Sequence, residues 1–201
     1  DERPPGLPHD RGRGPGDVIE RPYSWLDGSG ATGISTDGRS LLFGEFSVGG
    51  GVECSAYLRR FDGTAPVRLG DGRPRGLSPD GSLALVVVRK PEAGLLLVPA
   101  GPGEPKALPK GPVAAFHWAS FFPDGKRILL VGNEADRPIR LFVQDVAAGL
   151  PTPLSPEGVR VGEPSEAISP DGRLVAATSV ADGTPVFVSV GDGTVRTIEG
   201  L

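Results

Sequence analysis

From about residue 30 onward, apolar runs of strand length alternate with breaks rich in Gly, Pro and Asp, and four of the runs share one frame. "ISTDGRSLLFG" (34–44), "LSPDGSLALVV" (77–87), "FFPDGKRILLV" (121–131) and "ISPDGRLVAAT" (168–178) align without gaps. Their aspartates, Asp37, Asp80, Asp124 and Asp171, are 43, 44 and 47 residues apart. A near-constant period over four copies marks an internal repeat.

Within each period the same strand signals recur in the same order. A first run (31–35, 74–77, 116–122, 166–169) leads into the Asp-Gly turn, and a second follows at once (40–46, 83–89, 127–132, 174–180). A third run (56–60, 95–99, 140–145, 185–190) ends at a small turn such as "FDGT" or "GDGT", and a weaker fourth closes the unit. Four short strands per period, without helical periodicity, predict an all-β fold: a β-propeller built from four-stranded antiparallel blades. Asp-Gly suits the tight connection between antiparallel strands because glycine accepts positive φ, and the preceding proline presets φ at the first turn position.

The predicted blades cover approximately 30–72, 73–112, 113–159 and 160–201, within a propeller region of 18–201. The first run of each is the innermost strand, lining a central channel. "YSWLDGSG" (23–30) reads as the tail of another blade or a strand completing the last one. Residues 1–17, with four Pro, four Gly and almost nothing apolar, are expected to be a disordered arm or linker.

Composition narrows the function classes. With 31 Gly and 22 Pro the chain is turn-rich, and its 38% hydrophobic content is gathered into the strand runs. A net charge of −4 with scattered arginines argues against a nucleic-acid partner. No apolar run approaches the ~18 residues needed to span a bilayer, so direct membrane insertion is not expected. The single cysteine, Cys54, excludes an internal disulfide. The chain has no Met and begins at Asp1, which reads as a piece of something longer.

The turns carry a resemblance: Ser-Pro-Asp-Gly flanked by apolar strands, complete at 78–81 and 169–172 and varied by one residue at 35–38 and 122–125, is similar to the TolB-type propeller repeat. The match covers about residues 30–201. "YLRRFDGTAPVRLGDGRPRGLSPDG", "PAGPGEPKALPKGPV" and "LFVQDVAAGLPTPLSPEGV" further resemble the C-terminal sensor propeller of bacterial serine/threonine protein kinases. That resemblance implies a noncatalytic interaction or sensor domain of a larger signalling protein, on the extracytoplasmic or periplasmic side, binding a protein or peptide. The propeller of a prolyl-oligopeptidase-type peptidase and a periplasmic TolB-like scaffold are the alternatives. TolB-type propellers have six or more blades. Four repeats therefore imply a truncated ring with open blade edges able to self-associate, a small closed ring, or completion by a second copy.

Chemistry is sparse. No kinase Gly-rich loop or His-Arg-Asp motif is present, and neither is a Gly-x-Ser-x-Gly elbow. Only His9 and His117 could serve a nucleophile, and His9 lies in the arm. The chain is therefore not expected to be an enzyme. One Cys and two distant His make no zinc site. Calcium deserves a test because it takes carboxylate oxygens. The turn aspartates fall in separate blades, however, and an Asx turn accounts for each, so no cofactor is expected. "VGGGVE" (48–53) lacks the Gly-Lys-Ser/Thr of a phosphate loop.

One inner strand stands apart. "AAFHWASFFPDG" (114–125) carries Phe116, His117, Trp118, Phe121 and Phe122. These rings either pack between blades or help form a binding surface at the channel mouth. Phe116, His117 and Trp118, with Arg75 and Glu166 from other inner strands, are the candidate surface.

Overall fold

A computed structural model of the chain describes residues 28–46, 54–89, 92–147, 149–162 and 167–198. The arm 1–17, His9, the loop 48–53, Glu166 and most of 23–30 lie outside the described residues. The fold is all-β, and no helix occurs among the described residues.

Four four-stranded antiparallel sheets follow one another along the chain, each in simple sequential order. Sheet one holds β1 (Ser29–Ile34), β2 (Ser40–Glu45), β3 (Ser55–Arg60) and β4 (Val67–Asp71). Sheet two holds β5 (Arg73–Leu77), β6 (Leu83–Val88), β7 (Gly94–Pro99) and β8 (Lys106–Ala107). Sheet three holds β9 (Val113–Phe121), β10 (Arg127–Glu134), β11 (Arg140–Asp145) and β12 (Thr152–Pro153). Sheet four holds β13 (Val159–Arg160), β14 (Leu174–Ser179), β15 (Pro185–Ser189) and β16 (Val195–Thr197).

The Asp-Gly repeat joins the first strand of each sheet to the second. In all four turns the glycine has positive φ: Gly38 at 67°, Gly81 at 70°, Gly125 at 66° and Gly172 at 68°. Each glycine N–H donates to the carbonyl three residues back, as in Gly81 to Ser78 at 2.8 Å. That leading residue then donates back to the strand beyond the turn, as in Ser78 to Leu83 at 2.8 Å.

Sheet four departs from the repeat frame. Its innermost strand is split. Val159 and Arg160 pair with Ser179 and Thr178, and a separate bridge joins Ile168 to Val175 beside the turn. Of the run read from sequence at 166–169, the described residues Ala167 to Ser169 meet β14 only through that bridge and its flanking bonds, the Ala176 N–H donating to the Ala167 carbonyl at 2.7 Å and the Ser169 N–H to the Leu174 carbonyl at 2.9 Å.

The sheets pack face to face, which explains their apolar character on both sides. Pairs Leu85–Leu97 and Val87–Leu95 of sheet two meet Phe116, Ile128, Leu130 and Phe142 of sheet three. On its other face sheet three presents Leu129, Val131 and Leu141 to Val175, Ala177, Val186 and Val188 of sheet four. Ala56 of sheet one meets Val86 and Val98 of sheet two. Each buried Leu or Phe contributes about 1.5–3 kcal/mol over its exposed state, so these three seams hold most of the fold's stabilisation. The innermost strands lie side by side, β5 against both β1 and β9.

Candidate functional site

The innermost strands are irregular, and the irregularity sets the site. β1 slips register against β2 between Ala31 and Gly33, leaving Thr32 as the extra residue. β5 slips against β6 between Pro74 and Gly76, leaving Arg75. β9 slips against β10 between Trp118 and Phe116, leaving His117. A bulge leaves its residue out of the ladder and re-aims its side chain. Two of the sequence candidates, Arg75 and His117, are therefore the out-of-register residues of neighbouring strands.

They are also joined. The Arg75 guanidinium donates to the His117 carbonyl at 2.8 Å, giving a partner to a backbone oxygen that the bulge takes out of the ladder. The His117 ring, exposed, meets Asn133 Oδ1 through Nε2 at 2.8 Å.

The flanking aromatics diverge because the extra residue at His117 flips the face on one side of it; a regular strand would put residues 116 and 118 on the same side. Phe116 is buried between sheets two and three, and Trp118 is buried between sheets three and four. Phe121 and Phe122 go likewise into those two seams. Of these rings Trp118 also reaches the groove formed by the innermost strands. Glu166 lies outside the described residues.

That groove is a cavity of about 550 Å³ between β1, β5 and β9. Arg73 and Arg75 supply its charge, Thr32 and Ser120 its hydroxyls, and Ile34, Phe46, Leu77 and Trp118 its apolar walls. Sequence reasoning missed Arg73 and Phe46. The pair Arg73-x-Arg75 on a single inner strand was the available signal for the first. Phe46 is seated by two glycines, Gly44 two residues before it and Gly30 on the neighbouring strand. Gly30 and Gly44 are cross-strand partners, and a Cβ on either would come within 2.9 Å of the Phe46 ring. The Arg73 guanidinium in turn sits over that ring, 5.6 Å from its centroid.

The repeat's own polar residues are committed to their turns. Asp37, Asp80 and Asp171 each accept a bond from the serine two residues before and from the backbone N–H two residues after. The serine hydroxyls hold these carboxyls below the usual carboxylate range, helped by the backbone N–H groups. In sheet three Phe122 replaces the serine. Partial burial there pushes Asp124 upward, but Arg127 and two backbone N–H groups outweigh it and the net shift is downward. Arg127 Nε binds Asp124 Oδ2 at 2.7 Å, and its guanidinium lies 4.5 Å from the Phe122 centroid. Among the described residues no group of three or more His, Cys, Asp or Glu side chains converges to hold a metal ion.

Cys54 packs beside Gly44, with 1% of its surface exposed. Burial pushes its thiol up to about 11, against a smaller opposing pull from Arg73.

No family model and no curated protein matches the chain. Solved structures do. The protein described as TolB from Agrobacterium tumefaciens is 26% identical over 86% of this chain, with a TM-score of 0.66. TolB from Acinetobacter baumannii is 22% identical over 83%, with a TM-score of 0.60. Hydrazine synthase from Kuenenia stuttgartiensis is 19% identical over 90%, with a TM-score of 0.58. The chain spans 62%, 44% and 53% of the length of those three. Four sequential antiparallel sheets, packed face to face around their first strands, together with these likenesses, give the chain a TolB-like β-propeller fold.

Proposed function

We propose that the chain is a noncatalytic propeller module, an interaction or sensor domain of a larger bacterial signalling protein, that binds a protein or peptide partner in the groove of its innermost strands. The observation supporting this is the convergence there of three bulged strands around one cavity. Bulges concentrate next to functional sites because they turn ladder residues into presented ones. The serines and aspartates that could suggest catalysis are occupied in forming turns.

Gly76 supplies a test. It lines the cavity, its φ lies outside the left-handed region, and an added Cβ meets no heavy atom within 4 Å. Gly76→Leu therefore adds bulk to the groove lining at a position with room for its Cβ. Random heptapeptides displayed against the full chain should yield binders, and Gly76→Leu should weaken them at least about tenfold while the circular dichroism spectrum stays unchanged. Binders indifferent to Gly76→Leu would remove the groove from consideration.

A further inference from the structure

We infer that the ligand of this groove is a peptide segment carrying a carboxylate beside an apolar side chain, with Arg73 as the partner of the carboxylate. The inference rests on the binding role proposed above and adds the chemistry of the ligand.

Both charged residues lining the cavity are arginines, and among the described residues no Asp or Glu lines it. This is local chemistry, since the chain as a whole carries a net charge of −4. The two arginines differ in role. Arg75 is anchored on the His117 carbonyl and braces β5 against β9. Arg73, half-buried, rests over the face of Phe46. A guanidinium carried on a ring face keeps its N–H donors in its own plane, the geometry that takes a carboxylate through two parallel bonds.

The rest of the lining specifies what accompanies the carboxylate. Ile34 is 59% exposed and Phe46 48% exposed, and both face this cavity with Leu77 and Trp118. Large exposed apolar groups around a partly desolvated cation fit an apolar side chain next to an acid. Gly30, Ala31, Gly33 and Gly76 leave the backbones of β1 and β5 approachable by an extended segment. A polyanion fits less well, because the acidic surface repels it at range while the groove offers few cations.

The test uses the same heptapeptide selection on the full chain. Binders sensitive to Gly76→Leu should be enriched in Asp or Glu adjacent to an aromatic or aliphatic residue. Synthetic binders with each acid changed to its amide should bind about ten- to hundredfold more weakly. Arg73→Gln should abolish the difference between acid and amide peptides, and Arg73→Lys should retain only part of it. The peptide-side change leaves the protein untouched, so it gives an answer even if Arg73→Gln fails to fold. Groove-dependent binders without acidic enrichment, or an acid preference that survives Arg73→Gln, would overturn the inference and leave the binding role standing. Absence of any binder sensitive to Gly76→Leu would overturn both.

Discussion

In the turn at Ser78, one hydroxyl has two roles: it donates to Asp80 Oδ1 at 2.5 Å and accepts the Leu83 N–H at 2.9 Å. Ser78 is 4% exposed, so Ser78→Ala leaves a buried backbone donor without its side-chain acceptor and the aspartate without its nearest donor. The expected cost is about 1–3 kcal/mol, read from urea unfolding. The same substitution has no counterpart in sheet three, where Phe122 stands at the serine position and Arg127 holds the aspartate from the other side. Cys54 yields a second expectation at this scale. With its thiol at about 11, the thiolate fraction at pH 8 falls roughly two orders of magnitude below that of an ordinary cysteine. Iodoacetamide at pH 8 should leave the native chain essentially unmodified and label it rapidly in urea. Fast native labelling would mean that the thiol is reachable.

Between elements, the turns do more than reverse the chain, because each leans on the previous sheet. A Cβ on Gly81 would come within 3.3 Å of Ser35, one on Gly125 within 3.4 Å of Pro79, and one on Gly172 within 3.7 Å of Phe122. Their carboxylates also couple stability to pH. Asp37, Asp80, Asp124 and Asp171 have folded values below their unfolded ones, so their contribution is complete above the unfolded carboxylate range near 4. It is lost as pH falls through the lower folded values. Unfolding free energy should therefore fall below about pH 4, and Asp80→Asn should flatten that acid limb; an unchanged limb would contradict the assignment. These turns were legible in the sequence because only glycine accepts the backbone angle at Gly38, Gly81, Gly125 and Gly172, which fixes one residue in each repeat. The strand runs were legible for a similar reason, since each had to be apolar to lie in a seam. The bulges at Thr32, Arg75 and His117 were not, because a one-residue slip in one strand leaves the apolar pattern of its partner intact. The seat of Phe46 depends on Gly30 lying opposite Gly44 in the ladder, a pairing that the apolar pattern does not mark, and the split first strand of sheet four breaks a frame that its turn preserves.

At the scale of the molecule, equivalent positions reveal where the stack of sheets stops being covered. The residue five after the turn aspartate and its cross-strand partner point toward the following sheet: Leu42 with Leu58, Leu85 with Leu97, Leu129 with Val143, Ala176 with Phe187. The first three pairs are buried or half-buried, whereas Ala176 is exposed and Phe187 is 38% exposed. Two phenylalanines on neighbouring sheets thus sit in opposite environments, since Phe142 is fully buried in the seam between sheets two and three. Phe142→Ala should cost about 3–5 kcal/mol through lost burial and the cavity left behind. Phe187→Ser should cost less, about 1–2 kcal/mol, because more than a third of the residue already faces water. Both are measured by urea unfolding at two protein concentrations. If Phe187→Ser is as costly as Phe142→Ala, the outer face of sheet four is covered in solution. A cost that grows with protein concentration would identify a second copy as the cover, because only association makes stability depend on the amount of chain present.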